Sequence, residues 1–148
     1  FAFDRHEARN RIHALCFELE APARVRLVLA RGGALALEAA PLPAPLPDPA
    51  PCIALDHPTV AGDWRLSHKT TDRGFYDAAT AAARALGATE AVLVRDGAVI
   101  EGSWTNVFVE REGVLLTPPL AAGLLPGVLR AQLLAEGRAR EAALELSD

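Results

Sequence analysis

The sequence predicts an α+β protein of two lobes whose sheet is mainly antiparallel. Three observations carry that expectation. Segments with apolar residues at helical spacing are interspersed with short β-branched runs. Two such runs flank Asp96-Gly97, the strongest short signal for a tight hairpin. A stretch with proline at every second position (Pro41, Pro43, Pro45, Pro47, Pro49, Pro51) separates these strands from an earlier helix and hairpin. Proline at that spacing removes ladder donors and favours extended backbone, so the stretch reads as a connector between lobes.

Asp4 stands three residues before Glu7 in a capping-box pattern, and Ala8, Ile12, Leu15, Cys16 and Leu19 then recur at helical spacing. Arg5, Arg9 and His13 line a neighbouring face. Arg5 and His13 read as solvated charges, whereas Arg9 borders the apolar stripe and is a candidate to point into a cleft. Residues 25–30 read as a strand, Arg31-Gly32-Gly33 as its turn and residues 34–40 as the return. Beyond the prolines, residues 52–56 form a short strand, and a loop containing Pro58, Gly62 and Asp63 leads to Lys69. A helix is expected from Asp72, with Phe75, Ala79, Ala82, Ala83 and Leu86 on one face and Gly87 at its end. Residues 91–95 and 98–101 make the hairpin. A second meander covers 105–110 and 114–117 around Glu112-Gly113. After Pro118-Pro119, a further helix opens at Gly127 and ends near Gly137.

A chain of 148 residues suffices for one ordinary domain or two small lobes sharing a core. It is 51% apolar with a formal charge of −4, which favours neither a nucleic-acid partner nor a basic membrane-binding face. No apolar run reaches membrane-spanning length, and no signal-peptide pattern opens the chain. Cys16 and Cys52 stand alone, without metal-site spacing. They are expected as reduced, buried thiols of a cytoplasmic protein. Phe1 is not an initiator methionine, and residues 145–148 stop without a terminating element, so the chain reads as part of a longer protein.

Lys69 is the only lysine; the other fourteen basic residues are arginine. Arginine stays protonated in proteins, whereas lysine can become a neutral nucleophilic amine suited to Schiff-base chemistry. On its own, a lone lysine is more often compositional bias. Three further features fit one cofactor, pyridoxal phosphate, which needs an amine, a partner for its ring nitrogen and a cradle for its phosphate. Glu101 ends a hairpin strand ahead of Gly102-Ser103, where backbone and ligand approach closely. Gly127-Val128-Leu129 opens a helix whose first N–H groups favour an anion. Arg9 could add a bidentate phosphate contact. Singly, each has a plainer reading: a solvated strand-end acid, a simple turn, a surface cation.

Together the pieces resemble the fold-type IV, or class IV, pyridoxal-phosphate enzymes. That family includes branched-chain and D-amino-acid aminotransferases and 4-amino-4-deoxychorismate lyase. The matching residues run in family order: His6-x-x-Arg9, His68-Lys69-Thr70, Glu101-Gly102-Ser103-Trp104-Thr105-Asn106, Thr117-Pro118-Pro119-Leu120, and Gly123-Leu124-Leu125-Pro126-Gly127-Val128-Leu129-Arg130. The resemblance implies that Lys69 forms the Schiff base with the cofactor and shuttles protons, and that Glu101 pairs with the pyridine nitrogen. Arg9 and the backbone of Val128 and Leu129 would hold the phosphate, with Asn106 as a supporting residue. The spacing of Tyr76 from Lys69 departs from the aminotransferase pattern, so contact with the cofactor's phenolic oxygen and core packing both stay open to it. The implied fold is a small α/β lobe plus a larger barrel-like lobe. On that reading residues 1–45 are part of the N-terminal lobe, incomplete, and 46–148 the cofactor-binding lobe without its C-terminal end.

Two departures bear on the reaction that the resemblance implies. Leu129 stands where the aminotransferases usually carry threonine. The stretch Ala34-Leu35-Ala36-Leu37 lacks the cations with which D-amino-acid aminotransferases trap a substrate carboxylate. With His68-Lys69-Thr70-Thr71 followed by Arg73 and Tyr76, the chain looks most like the lyase, which makes 4-aminobenzoate and pyruvate for folate synthesis. A class IV aminotransferase of branched-chain or D-amino acids is the alternative, and a non-catalytic module of the same fold is another. The resemblance also implies a small-molecule substrate and a homodimer.

Overall fold

The structure, a computed structural model, describes residues 2–147. The chain divides into two compact units, Phe1–Pro45 and Leu46–Asp148.

In the first unit, helix α1 (Arg5–Glu18) begins where the Asp4 carboxylate accepts the N–H groups of His6 and Glu7 at 2.8 and 3.0 Å. That side chain satisfies two of the donors left open at a helix start. Ala8 is buried, while Ile12, Leu15 and Leu19 are half-buried along the same stripe. Strands β1 (Ala23–Leu29) and β2 (Leu35–Pro41) form an antiparallel hairpin that closes with Leu29 opposite Leu35. Arg11 donates to the Leu35 carbonyl at 2.7 Å and ties the helix to the hairpin. Residues 42–51 carry neither helix nor strand, as their prolines require.

The second unit is built on strand β4 (Glu90–Arg95), the middle strand of a three-stranded sheet. It pairs in parallel with β3 (Cys52–Asp56) and antiparallel with β5 (Ala98–Gly102). Helix α2 (Gly74–Ala85) makes the crossover from β3 to β4, as a parallel pair demands. Buried Tyr76, Ala79 and Ala83 of α2 pack with Leu66, Ala91 and Leu93, flanked by half-buried Ile53, Leu55 and Leu125. Alanine at two successive turns lets the helix approach the sheet closely. Asp96 (φ 52°) and Gly97 (φ 82°) make the β4–β5 turn in the left-handed region that such a hairpin needs.

A second three-stranded sheet holds β6 (Val109–Arg111), β7 (Val114–Thr117) and β8 (Ala139–Glu141). Helix α3 (Val128–Ala135) connects the parallel strands β7 and β8. Leu116 and Leu144 bury against Val99 of β5 and join the two sheets.

Among the described residues three of the five strand pairings are antiparallel, so the mainly antiparallel α+β class holds. Several local expectations change. Helix α2 starts at Gly74 rather than Asp72, and its buried face runs through Tyr76 in place of Ala82 and Leu86, which are exposed. Residues 105–108 are not strand; the Thr105 and Asn106 side chains bond instead to Glu90 and to the Leu125 carbonyl. Both thiols are free but exposed, contrary to the buried pair expected. Cys52 takes the outward position of β3, where Ile53 and Leu55 alternate inward, and Cys16 falls off the stripe of α1.

Leu93 is fully buried at the centre of the larger core. Leu93→Ala should destabilise the complete protein by about 2–5 kcal/mol through lost burial and the cavity left behind. Denaturant unfolding at unchanged m-value is the check.

Candidate active site

Lys69 sits on irregular backbone three residues after a single 3₁₀ turn, Trp64–Leu66. Leu66 is 1% exposed and pins this loop into the core. Asp63 caps the turn by accepting the Arg65 N–H at 2.9 Å and pairs with the Arg65 guanidinium at 2.6 Å. Arg65 also reaches Asp72 at 3.4 Å and lies 4.9 Å over the Phe75 ring. The loop is therefore braced on both sides of Lys69, whose own side chain is exposed. A small cleft opens there, walled by Lys69, Arg65, Arg73, Tyr76 and Leu125. The Arg65 side chain, then its backbone N–H, holds the Asp63 carboxyl down to about 2.

Glu101, near the end of β5, is 1% exposed. A buried carboxylate without partners costs several kcal/mol, so its donors matter. The Tyr76 hydroxyl donates to Oε1 at 2.5 Å, and the Leu125 N–H donates to Oε2 at 3.0 Å. The His57 Nε2 atom lies 3.5 Å from Oε1. Burial first, and donation to Glu101 second, push the Tyr76 hydroxyl far above the usual phenol range, so it remains a donor. Tyr76 and Leu125 thus both touch the acid and wall the cleft of Lys69. Of the two uses left open for Tyr76, its ring is packed in the core; its hydroxyl is turned to Glu101.

The segment that follows is held by a second buried acid. Glu90 accepts the Ser103 N–H at 3.0 Å, the Ser103 hydroxyl at 2.5 Å and the Thr105 hydroxyl at 3.0 Å. A Cβ on Gly102 would lie 2.1 Å from the Thr105 hydroxyl, so only glycine fits inside this clasp. Asn106 donates to the Leu125 carbonyl at 2.9 Å, and its Oδ1 would lie 2.0 Å from a Cβ on Gly127. Leu125 is thereby held through its N–H by Glu101 and through its carbonyl by Asn106, which also lies against Gly127. Helix α3 then opens with no side-chain cap, and Val128 and Leu129 are 86% and 65% exposed. Its first N–H groups are left for an anion.

The structure thus brings Lys69, Glu101, Asn106, Val128 and Leu129 onto connected pieces of one unit. Arg9 belongs to the other unit, where it is exposed on α1 and lines an open depression with Arg5 and His6. Sequence reasoning missed Glu90 and His57. Glu90 left a trace, a charge opening the otherwise apolar run 90–94. A single histidine after a strand left none.

Comparison with known proteins identifies the family. The amino-transferase class IV profile matches residues 1–148, and the chain belongs to that family. A crystal structure from Mesorhizobium loti, provisionally named an amino-acid aminotransferase, is 36% identical. It superposes with a TM-score of 0.87 over 100% of this chain and 73% of its own. A Legionella pneumophila structure, provisionally named 4-amino-4-deoxychorismate lyase, shares the fold at 19% identity and a TM-score of 0.80 (94% of this chain, 58% of that one). The pyridoxal-phosphate-bound form of a hypothetical aminotransferase from Mycobacterium tuberculosis shares it at 23% identity and a TM-score of 0.76 (97% and 59%). Among curated sequences, a Bacillus licheniformis D-alanine aminotransferase is 43% identical over 47 residues, 32% of this chain; the match spans only 17% of that relative. The family is pyridoxal-phosphate dependent. No helix among the described residues is long and apolar enough to cross a membrane.

Asp63 anchors the lysine loop, and its lowered carboxyl gives the pH dependence a sign. Its contribution to stability is complete above the unfolded value near 4 and is lost as pH falls through about 2. Unfolding midpoints measured from pH 5 down to 2 should fall less steeply in Asp63→Asn than in the parent protein.

Proposed function

We propose that this chain is the catalytic part of a pyridoxal-phosphate-dependent 4-amino-4-deoxychorismate lyase, releasing 4-aminobenzoate and pyruvate. The observation that carries a cofactor-dependent enzyme is the pairing of the sole lysine with a buried acid across one cleft wall. The residues suit the cofactor by chemistry: an exposed amine, a carboxylate behind the cleft, and an uncapped helix start beyond a glycine that closely apposes Asn106.

When bound, pyridoxal phosphate supplies an electrophilic carbonyl carbon and a ring that accepts electron density. Lys69, with its exposed amine, would hold the cofactor through that carbonyl carbon. Its Nζ would also serve as the base for the proton on the substrate ring carbon that bears the nitrogen. Glu101 would pair with the pyridine nitrogen and keep a proton on it. The N–H groups of Val128 and Leu129 would hold the phosphate, and Asn106 would hold the strap 125–127 through the Leu125 carbonyl. Loss of the enolpyruvyl group as pyruvate makes the substrate ring aromatic, and no 2-oxo-acid acceptor is consumed. We read the whole protein as a cytoplasmic homodimer acting on a small molecule, on the strength of the family resemblance.

A class IV aminotransferase of branched-chain or D-amino acids is the second reading, favoured by the Mesorhizobium loti and Bacillus licheniformis relatives. Against it stand Ala34-Leu35-Ala36-Leu37, which offers no cation for a substrate carboxylate, and Leu129, which offers no hydroxyl. A non-catalytic module of the same fold would be colourless.

The complete protein should be yellow, bleach with borohydride with the label on Lys69, and release pyruvate from aminodeoxychorismate. Lys69→Ala should lower turnover by at least about a thousandfold, the scale on which a nucleophile that also serves as base is lost. Amino transfer to 2-oxoglutarate without pyruvate release would replace the lyase by the aminotransferase.

A further inference from the structure

We propose that His57 is the positioning residue of Glu101, holding the buried carboxylate through its Nε2–H so that it faces the pyridine nitrogen. This inference rests on the cofactor role proposed above for Glu101, and the pairing itself stands on geometry alone. His57 follows β3 directly, and its backbone N–H donates to the Val94 carbonyl at 2.7 Å, which continues the β3–β4 pairing by one residue. Its side chain is fully buried. Nδ1 accepts the backbone N–H of Thr59 at 3.3 Å, with the Thr59 hydroxyl at 3.2 Å.

A backbone N–H can only donate, so Nδ1 carries no proton and the proton of the neutral ring sits on Nε2. That atom makes no hydrogen bond among the described residues and lies 3.5 Å from Glu101 Oε1. Phe75 and Tyr76 close the ring in, with centroids at 6.4 and 6.5 Å. The buried Nε2–H therefore faces the Glu101 carboxylate, and Asp63 is a second acid that interacts with the ring.

A neutral donor also suits the task. Arginine or lysine in that place would cancel the charge that Glu101 must present to a pyridinium. An imidazole N–H orients the carboxylate and leaves its charge intact. The plainer alternative is a histidine that fills the core and stops the strand through Thr59; it assigns no role to the unpartnered nitrogen.

The test uses the complete protein and two readouts. In ¹⁵N imidazole spectra without cofactor, His57 should show the Nε2–H tautomer near neutral pH, and its Nε2 signal should move in Glu101→Gln. The other tautomer, or an unmoved signal, overturns the pairing. In spectrophotometric titration with pyridoxal phosphate, His57→Leu should bind about tenfold more weakly, the low end for losing a hydrogen bond to a charged group. The pH at which the bound chromophore changes colour should shift as well. His57→Gln, which keeps an N–H near the Nε2 position, should recover most of both. Equal losses in the two variants with an unshifted pH profile would make His57 structural and overturn the proposal. If the parent protein takes up no pyridoxal phosphate, the cofactor reading fails, and the nitrogen spectra alone decide the His57–Glu101 pairing.

Discussion

A carboxylate in the interior constrains everything around it, and Glu101 is where the second unit is most constrained. Its neighbours come from three parts of the chain: Tyr76 from α2, Leu125 from the strap before α3, and His57 from the end of β3. Such a charge is tolerated only when donors converge on it, and breaking a buried pair costs about 3–5 kcal/mol. The acid therefore acts as a polar staple through an apolar core. Helix, sheet and strap must all be docked before its donors are complete. Register supplies the rest: β5 pairs Glu101 with Leu93 on β4, so the acid is delivered from the most buried strand of the sheet.

Glu90 shows the same physics turned to another end. It opens β4 as Glu101 nears the close of β5, and it too is buried. Its donors are local: the turn 103–105 wraps around it, and the Ala91 N–H adds a fourth bond at 2.8 Å. The exposed pairs, Arg26 with Glu38 and Arg138 with Glu136, are each 3.4 Å apart and add little in water. The bonds to buried Glu90 and Glu101 lie on both sides of the Gly102-Ser103 step that re-aims the chain after Glu101.

What could be read in advance follows from the range of each interaction. Asp96-Gly97 and Glu112-Gly113 announced their turns because both residues of each pair adopt positive φ, a demand met locally. Asp4 announced α1 in the same way, by bonding to residues two and three positions on. Lys69 stood out by composition alone. The partners of Glu101 did not, since Tyr76 is 25 residues away and Leu125 is 24, and no period connects them. The parallel pairings were hidden for a related reason: a period-two pattern tells which face of a strand is covered, not which strand lies beside it. Apolar spacing likewise put Leu86 in the core, whereas it is 66% exposed and Tyr76 takes the face, because a hydroxyl was needed at Glu101.

The placement of the lysine follows from two opposed needs. On the role proposed for it, the amine needs reach, and a four-carbon stem on an exposed loop provides it. Catalysis also needs the amine to return to one place, and a free loop would not allow that. The chain resolves the conflict by separating backbone from side chain. Leu66 sinks into the core, and Asp63 and Asp72 grip Arg65 from either side of the lysine. The backbone at Lys69 is then fixed by neighbours that take no part in the chemistry, while the Nζ atom keeps its rotamers. Loosening that grip would widen the volume the amine explores without removing any group it reacts with. On the proposed roles, such damage would fall on turnover before it fell on cofactor affinity, because the phosphate and the ring nitrogen are assigned to other residues.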